Sequence, residues 1–251
     1  MKKILKFLGI IILLAGFVFF SELLAAKVIQ IYGQIKKETL DIKYQLLLGQ
    51  IIRGIIIIPI IYKRSEKTPY IKSSVKKDFW KMIVIGFGVF SLGNILVSIL
   101  LYFLKDLPTI TRTLETLEEV SNFSSGFFLT FLVIVILAPI TEELIFRGIL
   151  FEEINRIFDY KFAILSTALL FGIYHFNILQ GVNTFVMALI LAIVYYYRKN
   201  ILDSILIHMV NNFLALILSI NQNLASLVFI IGFVCIFISF IIIKKIIKSS
   251  N

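Results

Sequence analysis

The chain has 251 residues, of which 59% are hydrophobic, and its mean hydropathy is +0.98. A globular protein in water cannot hide that many apolar side chains, and 24 phenylalanines exclude a disordered chain. The single cysteine, Cys235, lies in an apolar run and excludes a disulfide scaffold. The composition therefore indicates an all-α, polytopic membrane helix bundle.

Eight apolar stretches have close to the roughly 20 residues that a helix needs to cross a bilayer. In chain order the predicted spans are residues 4–29, 45–62, 82–104, 126–147, 162–180, 182–197, 201–219 and 225–243. With the first span trimmed to 7–26, they hold six of the 40 charged residues: Glu22, Arg53, Glu142, Glu143, Arg147 and Asp203. The remaining charges fall in the segments between spans.

The net charge of +10 is distributed unequally between the two sides of the predicted membrane. One side holds 17 lysines and arginines, namely Lys2, Lys3, Lys6, Lys63, Arg64, Lys67, Lys72, Lys76, Lys77, Lys81, Arg156, Lys161, Arg198, Lys199, Lys244, Lys245 and Lys248. The other side holds five, namely Lys36, Lys37, Lys43, Lys105 and Arg112. Cytoplasmic loops carry the basic excess, so both termini are predicted to be cytoplasmic, and nucleic acid is not expected as a partner.

The N-terminus also resembles a secretory signal peptide, because three lysines precede a Leu/Ile/Phe run. No A-x-A-like cleavage site follows, and the apolar stretch continues past Phe20 to Ala26. We therefore expect the first helix to be retained.

Two adjacent acids, Glu142 and Glu143, lie near the end of the fourth span, where an ionisable group is costly and is a functional candidate by default. Glu143 and Arg147 are four residues apart and can pair on one helix face. Glu142 points about 100° away and lacks that partner. In the alternative interpretation, Pro139 starts a new helix and the two acids only cap its N-terminus.

Both histidines of the chain, His175 and His208, fall inside apolar spans. Gly172, three residues before His175, would let another backbone approach closely. His208 and Asn212 are four residues apart and project from one helical face. Together with Glu142, these side chains come from three separate spans and are expected to converge inside the bundle.

Such a set of groups is suited to amide hydrolysis by an activated water. A carboxylate shielded from water can serve as the base, one histidine can hold the same water, and a histidine with an asparagine can stabilise an oxyanion. Nucleophilic catalysis is poorly supported, because no G-x-S-x-G motif occurs and Cys235 has no charged neighbour in the sequence. No H-E-x-x-H zinc motif is present, although one glutamate and two histidines are a permissible zinc set.

Three motifs in this order resemble those of the CPBP or Abi family of intramembrane CAAX-processing and bacteriocin-processing proteases, whose eukaryotic relative is the type II CAAX prenyl endopeptidase. They are EExxxR over 142–147, FxxxH over 171–175 and HxxxN over 208–212. The resemblance covers residues 126–219, the expected catalytic core. Residues 1–125 would then be three N-terminal spans with their loops, and 220–251 a C-terminal helix with a basic tail.

The resemblance implies a role for each motif residue. Glu142 would be the water-activating base, His175 its partner, and His208 with Asn212 the oxyanion-binding pair. Glu143 and Arg147 would support the shape of the site. The family has been described both as metalloproteases and as glutamate-type proteases. With two imidazoles we expect no required cofactor, and a divalent metal such as zinc would take Glu142, His175 and His208 as ligands.

The expected substrate is a membrane-associated protein or peptide, and the expected location is a bacterial plasma membrane. A second hypothesis is a non-enzymatic immunity or scaffolding protein, of the bacteriocin self-immunity type. A third is a small transporter with Arg53 and Asn94 along its path, which the absence of an inverted repeat disfavours.

Overall fold

The computed structural model describes residues 2–66, 70, 75–104, 107, 110, 114 and 126–250. For residues 75–77 and 250 it describes the backbone only. Eight helices are present in this part: α1 (Lys2–Lys36), α2 (Ile42–Ser65), α3 (Val75–Leu104), α4 (Phe127–Ile157), α5 (Tyr160–Tyr174), α6 (Ile178–Arg198), α7 (Ile201–Ile220) and α8 (Ala225–Ser250). All except α5 are long and apolar enough to cross a membrane. The protein is an all-helical, integral multi-pass membrane protein, as the composition predicted.

Four of the basic residues used in the charge count, Lys67, Lys72, Lys105 and Arg112, lie outside the described residues. Among those that are described, several form ion pairs near helix ends. Arg64 at the end of α2 pairs with Glu153 near the end of α4 at 2.6 Å. Arg198 at the end of α6 pairs with Asp78 near the start of α3 at 2.8 Å. These pairs bring four helix ends together at one end of the bundle.

The start of α1 and the end of α8 lie at that same end. Phe7, near the start of α1, packs edge-on against Phe158, which follows α4. Ser239, in the second half of α8, donates to the carbonyl of Val84 in the first half of α3, so α8 runs antiparallel to α3. The even number of membrane crossings stays a prediction, since seven of the eight helices are long and apolar enough to cross. The cytoplasmic assignment of this end remains a prediction.

The boundary between α5 and α6 differs from the predicted spans 162–180 and 182–197. Helix α5 ends at Tyr174, Phe176 has a positive φ of 52°, and Asn177 caps α6 by accepting a hydrogen bond from the Gln180 N–H at 2.7 Å. The asparagine cap satisfies one of the free N–H groups of the new helix, so the break falls there. Gly181, the predicted position of the break, lies within α6.

Gly172 and Gly181 instead mark the closest approach of α5 and α6. A Cβ atom on Gly172 would lie 2.8 Å from the carbonyl oxygen of Gly181. That distance is shorter than any ordinary carbon–oxygen contact, so the two helices can meet here only through glycine. The predicted close approach at Gly172 is confirmed. The contact holds the end of α5, and with it His175, against α6.

Helix α4 is continuous through Pro139, but its winding departs from the α-helical form in two segments. Residues Phe131–Leu137 and Leu144–Phe151 are π-helical, and the α-helical segment Ala138–Glu143 between them carries the two acids. A proline lacks an N–H donor, and the looser i→i+5 turns before it accommodate this loss without ending the helix. The acids therefore lie in mid-helix. The alternative in which they cap a helix starting at Pro139 is wrong.

Candidate functional site

A cavity of about 640 Å³, lined by apolar and polar side chains, lies between the helices and receives side chains from seven of them. Its walls include all four residues predicted to be catalytic: Glu142, His175, His208 and Asn212. These come from α4, from the end of α5 and from α7. The expected convergence of the three motifs inside the bundle is therefore present in the structure.

Glu143 is the residue that joins the first motif to the third. It is fully buried, and its Oε1 accepts hydrogen bonds from Arg147 Nη1 at 3.1 Å and from His208 Nδ1 at 3.0 Å. Arg147, also fully buried, donates from Nη2 to the backbone carbonyl of Ala188 on α6 at 2.9 Å. The predicted Glu143–Arg147 pair is present, and the pair also fixes the ring of His208.

Phe171, the first residue of the second motif, packs beneath this charged group. The Arg147 guanidinium lies 5.2 Å from the centre of its ring, and the rings of His208 and His175 lie 5.7 Å and 5.3 Å from it. A cation over an aromatic face is attracted by the ring quadrupole, more strongly where water is excluded. An aromatic residue at this position thus supports the arginine and both histidines at once.

Glu142 faces the cavity beside His208. Its Oε2 lies 3.8 Å from His208 Nε2, too far for a direct hydrogen bond but close enough for one water to bond to both atoms. Because Glu143 accepts the Nδ1 proton of His208, Nε2 is the atom at which that ring gains or loses a proton. The ring nitrogen that can change its protonation thus lies beside Glu142.

His175 is held at the C-terminal end of α5. Its Nδ1 lies 3.0 Å from the backbone carbonyl of Phe171 and 3.4 Å from Thr184 Oγ1. A carbonyl oxygen can only accept, so this bond places the proton on Nδ1 and leaves Nε2 with a free lone pair. No nitrogen of His175 lies within 4.0 Å of a Glu142 oxygen. Contact between these two residues requires a bridging water or substrate.

Asn212 is partly engaged by the protein itself. Its Nδ2 donates to the carbonyl of Ile134 in the first π-helical segment at 2.9 Å, and its Oδ1 accepts from Asn211 Nδ2 at 3.2 Å. An amide nitrogen carries two N–H groups, so one donor remains for a ligand. The side chain both anchors the π-helical segment and faces the cavity.

The N-terminal helices contribute cavity residues that carry no motif. Thr141, next to Glu142, donates a hydrogen bond to Gln50 on α2, and both side chains are buried. Arg53 and Asn94, which the transporter hypothesis placed along a path, also line the cavity. In the sequence Gln50 is an amide in an apolar span, and such residues are too common to identify this one as part of a site. Its partner could not be predicted, because it lies 91 residues away.

The residues implied as zinc ligands do not form a compact metal site. Among the residues that the structure describes, no group of three or more His, Cys, Asp or Glu side chains is placed to hold a metal ion. Glu142, His175 and His208 share the cavity, but only one of the two histidines, His208, has a ring nitrogen within 4.0 Å of a Glu142 oxygen. The donor set in this arrangement does not fit a three-ligand metal centre.

The fold and the cavity define a class: a multi-pass membrane protein with a glutamate and a histidine 3.8 Å apart on the wall of an internal cavity. Comparisons with known proteins agree with this class. The family described as "Type II CAAX prenyl endopeptidase Rce1-like" matches residues 124–214. The chain is also 31% identical over 141 residues to UPF0177 protein YbdI of Lactococcus lactis subsp. lactis (strain IL1403), covering 55% of this chain and 75% of that protein. No solved structure gives a significant match.

The chain belongs to this CPBP/Abi-type family of membrane proteins. The family suggests a protease-type function. The name of the Lactococcus lactis relative states no activity.

Proposed function

We propose that the protein is an intramembrane endopeptidase that hydrolyses a peptide bond of a membrane-associated protein or peptide in a bacterial plasma membrane. The observation that carries the proposal is the approach of Glu142 Oε2 to His208 Nε2, 3.8 Å apart on the wall of a cavity lined by seven helices. Residues 126–219 form the catalytic core in this proposal. Helices α1, α2 and α3 of the N-terminal region complete the cavity wall, and α8 of the C-terminal region packs against α3.

In the proposed reaction Glu142 takes a proton from a water that also donates to the free Nε2 of His175. The water oxygen attacks the carbonyl carbon of the scissile bond, and negative charge develops on the carbonyl oxygen. His208 in its protonated form, held by Glu143, donates from Nε2 to that oxygen, together with the remaining N–H of Asn212. Glu142 then returns its proton to the leaving amine as the carbon–nitrogen bond breaks.

Glu142→Gln is the direct test, because glutamine keeps the size of the side chain and cannot take the proton. We expect the cleavage rate to fall by about 10²–10⁴-fold with no change in thermal stability. Peptides in the membrane and secreted fractions are compared by mass spectrometry between strains that carry the wild type or the variant. Glu153→Gln, which alters a carboxylate at the bundle end, is the matched control and should cleave normally. Equal cleavage by the wild type and Glu142→Gln would contradict the assignment.

The non-enzymatic alternative makes a different prediction for a deletion strain that carries histidine variants. His175→Ala and His208→Ala would complement a deletion strain if the protein acted only as a scaffold or immunity protein. We expect neither variant to complement, although each is inserted in the membrane at the wild-type level. Immunoblotting of membrane fractions provides the level, and the phenotype of the deletion strain provides the readout.

A further inference from the structure

A second buried arginine–glutamate pair lines the cavity, on the wall formed by α1 and α2. Arg53 is 2% exposed, and its Nη1 donates to Glu22 Oε1 at 2.5 Å and to Ser21 Oγ at 3.3 Å. The Glu22 side chain is 31% exposed. Both residues lie outside the region matched by the family, residues 124–214. None of the three motifs accounts for this pair.

The guanidinium of Arg53 has an unused edge. Both of its hydrogen bonds to described residues use Nη1, while the buried Nε–H has no acceptor among them. Nε and Nη2 carry parallel N–H groups that match the two oxygens of a carboxylate, which is the bidentate geometry that arginine favours. An unpaired buried donor is costly, so an acceptor that reaches this edge from the cavity gains a strong interaction.

The α2 wall lies beside the proposed site of cleavage. Gln50, one helical turn before Arg53, accepts a hydrogen bond from Thr141, whose neighbour is Glu142. Gly54, the residue after Arg53, also faces Thr141, since a Cβ atom there would lie 4.0 Å from its methyl group. Arg53 and Glu142 line one cavity whose volume suits only a short stretch of peptide.

We infer that Arg53 is a specificity-determining residue whose Nε–Nη2 edge binds a carboxylate of the peptide substrate. The inference rests on the proposed peptidase function and deepens it. The substrate class is a peptide with a carboxylate within a few residues of the scissile bond, either at its C-terminus or on an acidic side chain. Glu22 holds the opposite edge of the guanidinium and, as a neighbouring negative charge, weakens the binding of the substrate carboxylate.

The first experiment measures binding in protein that cannot cleave. The full chain with Glu142→Gln is placed in lipid nanodiscs, and fluorescence anisotropy follows a dansyl-labelled pentapeptide of leucine and alanine. The same peptide is tested with a free carboxylate, with a C-terminal carboxamide, and with a carboxamide after a final aspartate. We expect the free carboxylate to bind at least about tenfold more tightly than the carboxamide. The aspartate peptide shows whether a side-chain carboxylate serves as well as a terminal one.

The second experiment uses the two members of the pair, because they should act in opposite directions. In the same background, Arg53→Gln should abolish the preference for the carboxylate. Glu22→Gln should increase it, since a competing negative charge is removed. A purely structural ion pair predicts weaker binding in both variants. Arg64→Gln, eleven residues along α2 and outside the cavity, is the matched control and should bind like the parent.

Equal affinity for carboxylate and carboxamide, or a preference that survives Arg53→Gln, would overturn the inference. These results are independent of the cleavage assay with Glu142→Gln. A carboxylate preference without any cleavage by the wild type would contradict the proposed function while leaving the role of Arg53 in binding intact.

Discussion

The two buried arginine–glutamate pairs of this protein differ in how completely they are enclosed. Arg147 and Glu143 are both fully buried, and the backbone of α6 and His208 occupy further hydrogen-bonding positions on the pair. Arg53 is almost as buried as Arg147, yet its partner Glu22 is partly exposed. Neither Nε makes a hydrogen bond to a described residue, but Arg147 Nε lies 3.1 Å from Glu143 Oε2, whereas no carboxylate of the described residues lies beside Arg53 Nε. A charged side chain in a membrane-spanning helix indicates a functional site. Whether a counter-charge and hydrogen-bond acceptors surround the charged side chain distinguishes one that holds the site together from one that can bind a ligand.

The largest effect on stability is expected for Arg147→Leu. The change leaves Glu143 charged, fully buried and without its main counter-charge, a situation that typically costs about 3–5 kcal/mol. We expect a loss of that size in the free energy of unfolding, measured by denaturant titration in lipid micelles. A loss below about 1 kcal/mol would show that the enclosed pair does not hold the three helices together.

Arg53→Leu should cost less, although the arginine is almost equally buried. Its partner Glu22 faces the cavity and can be hydrated there, so the loss is mainly one charge-assisted hydrogen bond, about 2 kcal/mol. The same unfolding measurement checks the value. If Arg53→Leu destabilised the protein as much as Arg147→Leu, the distinction between an enclosed and an open pair would fail.

The smallest effect is expected for the Arg64–Glu153 pair at the bundle end. The side chains are 25% and 17% exposed, and pairs in contact with solvent usually contribute between 0 and about 1 kcal/mol. Arg64→Gln should therefore change the free energy of unfolding by less than about 1 kcal/mol, with part of the effect removed by added salt. A larger loss would mean that this end of the bundle is as tightly coupled as its centre.

Local spacing predicted the parts of the site that depend on one helix. The pairing of Glu143 with Arg147 and the different direction of Glu142 follow from helix geometry, and both are present in the structure. The meeting of the three motifs followed from the cost of polar side chains in lipid. The helical fold followed from the composition and the length of the apolar runs.

Contacts between distant helices could not be predicted in the same way. His208 bonds to Glu143 across 65 residues, and Arg53 bonds to Glu22 across 31. Such pairs depend on which helices are neighbours and how they are rotated, and one sequence carries no periodic signal for that. The break at Asn177 differs from the predicted one at Gly181 for a local reason, because the Asn177 side chain caps α6 by accepting a hydrogen bond from the Gln180 N–H.

The length of α5 has a consequence for the surrounding lipid. Its 15 residues extend about 22 Å, against a hydrocarbon thickness of about 30 Å. Phe162, Leu165, Leu169 and Ile173 form an exposed apolar stripe along it, so lipid covers this face. Local thinning of the bilayer is one of the ways in which the mismatch at a short helix is relieved, beside snorkelling of the flanking residues. A substrate anchored in the membrane would meet a thinner barrier beside His175 than elsewhere, and acyl-chain length becomes a variable to control when activity is measured in reconstituted membranes.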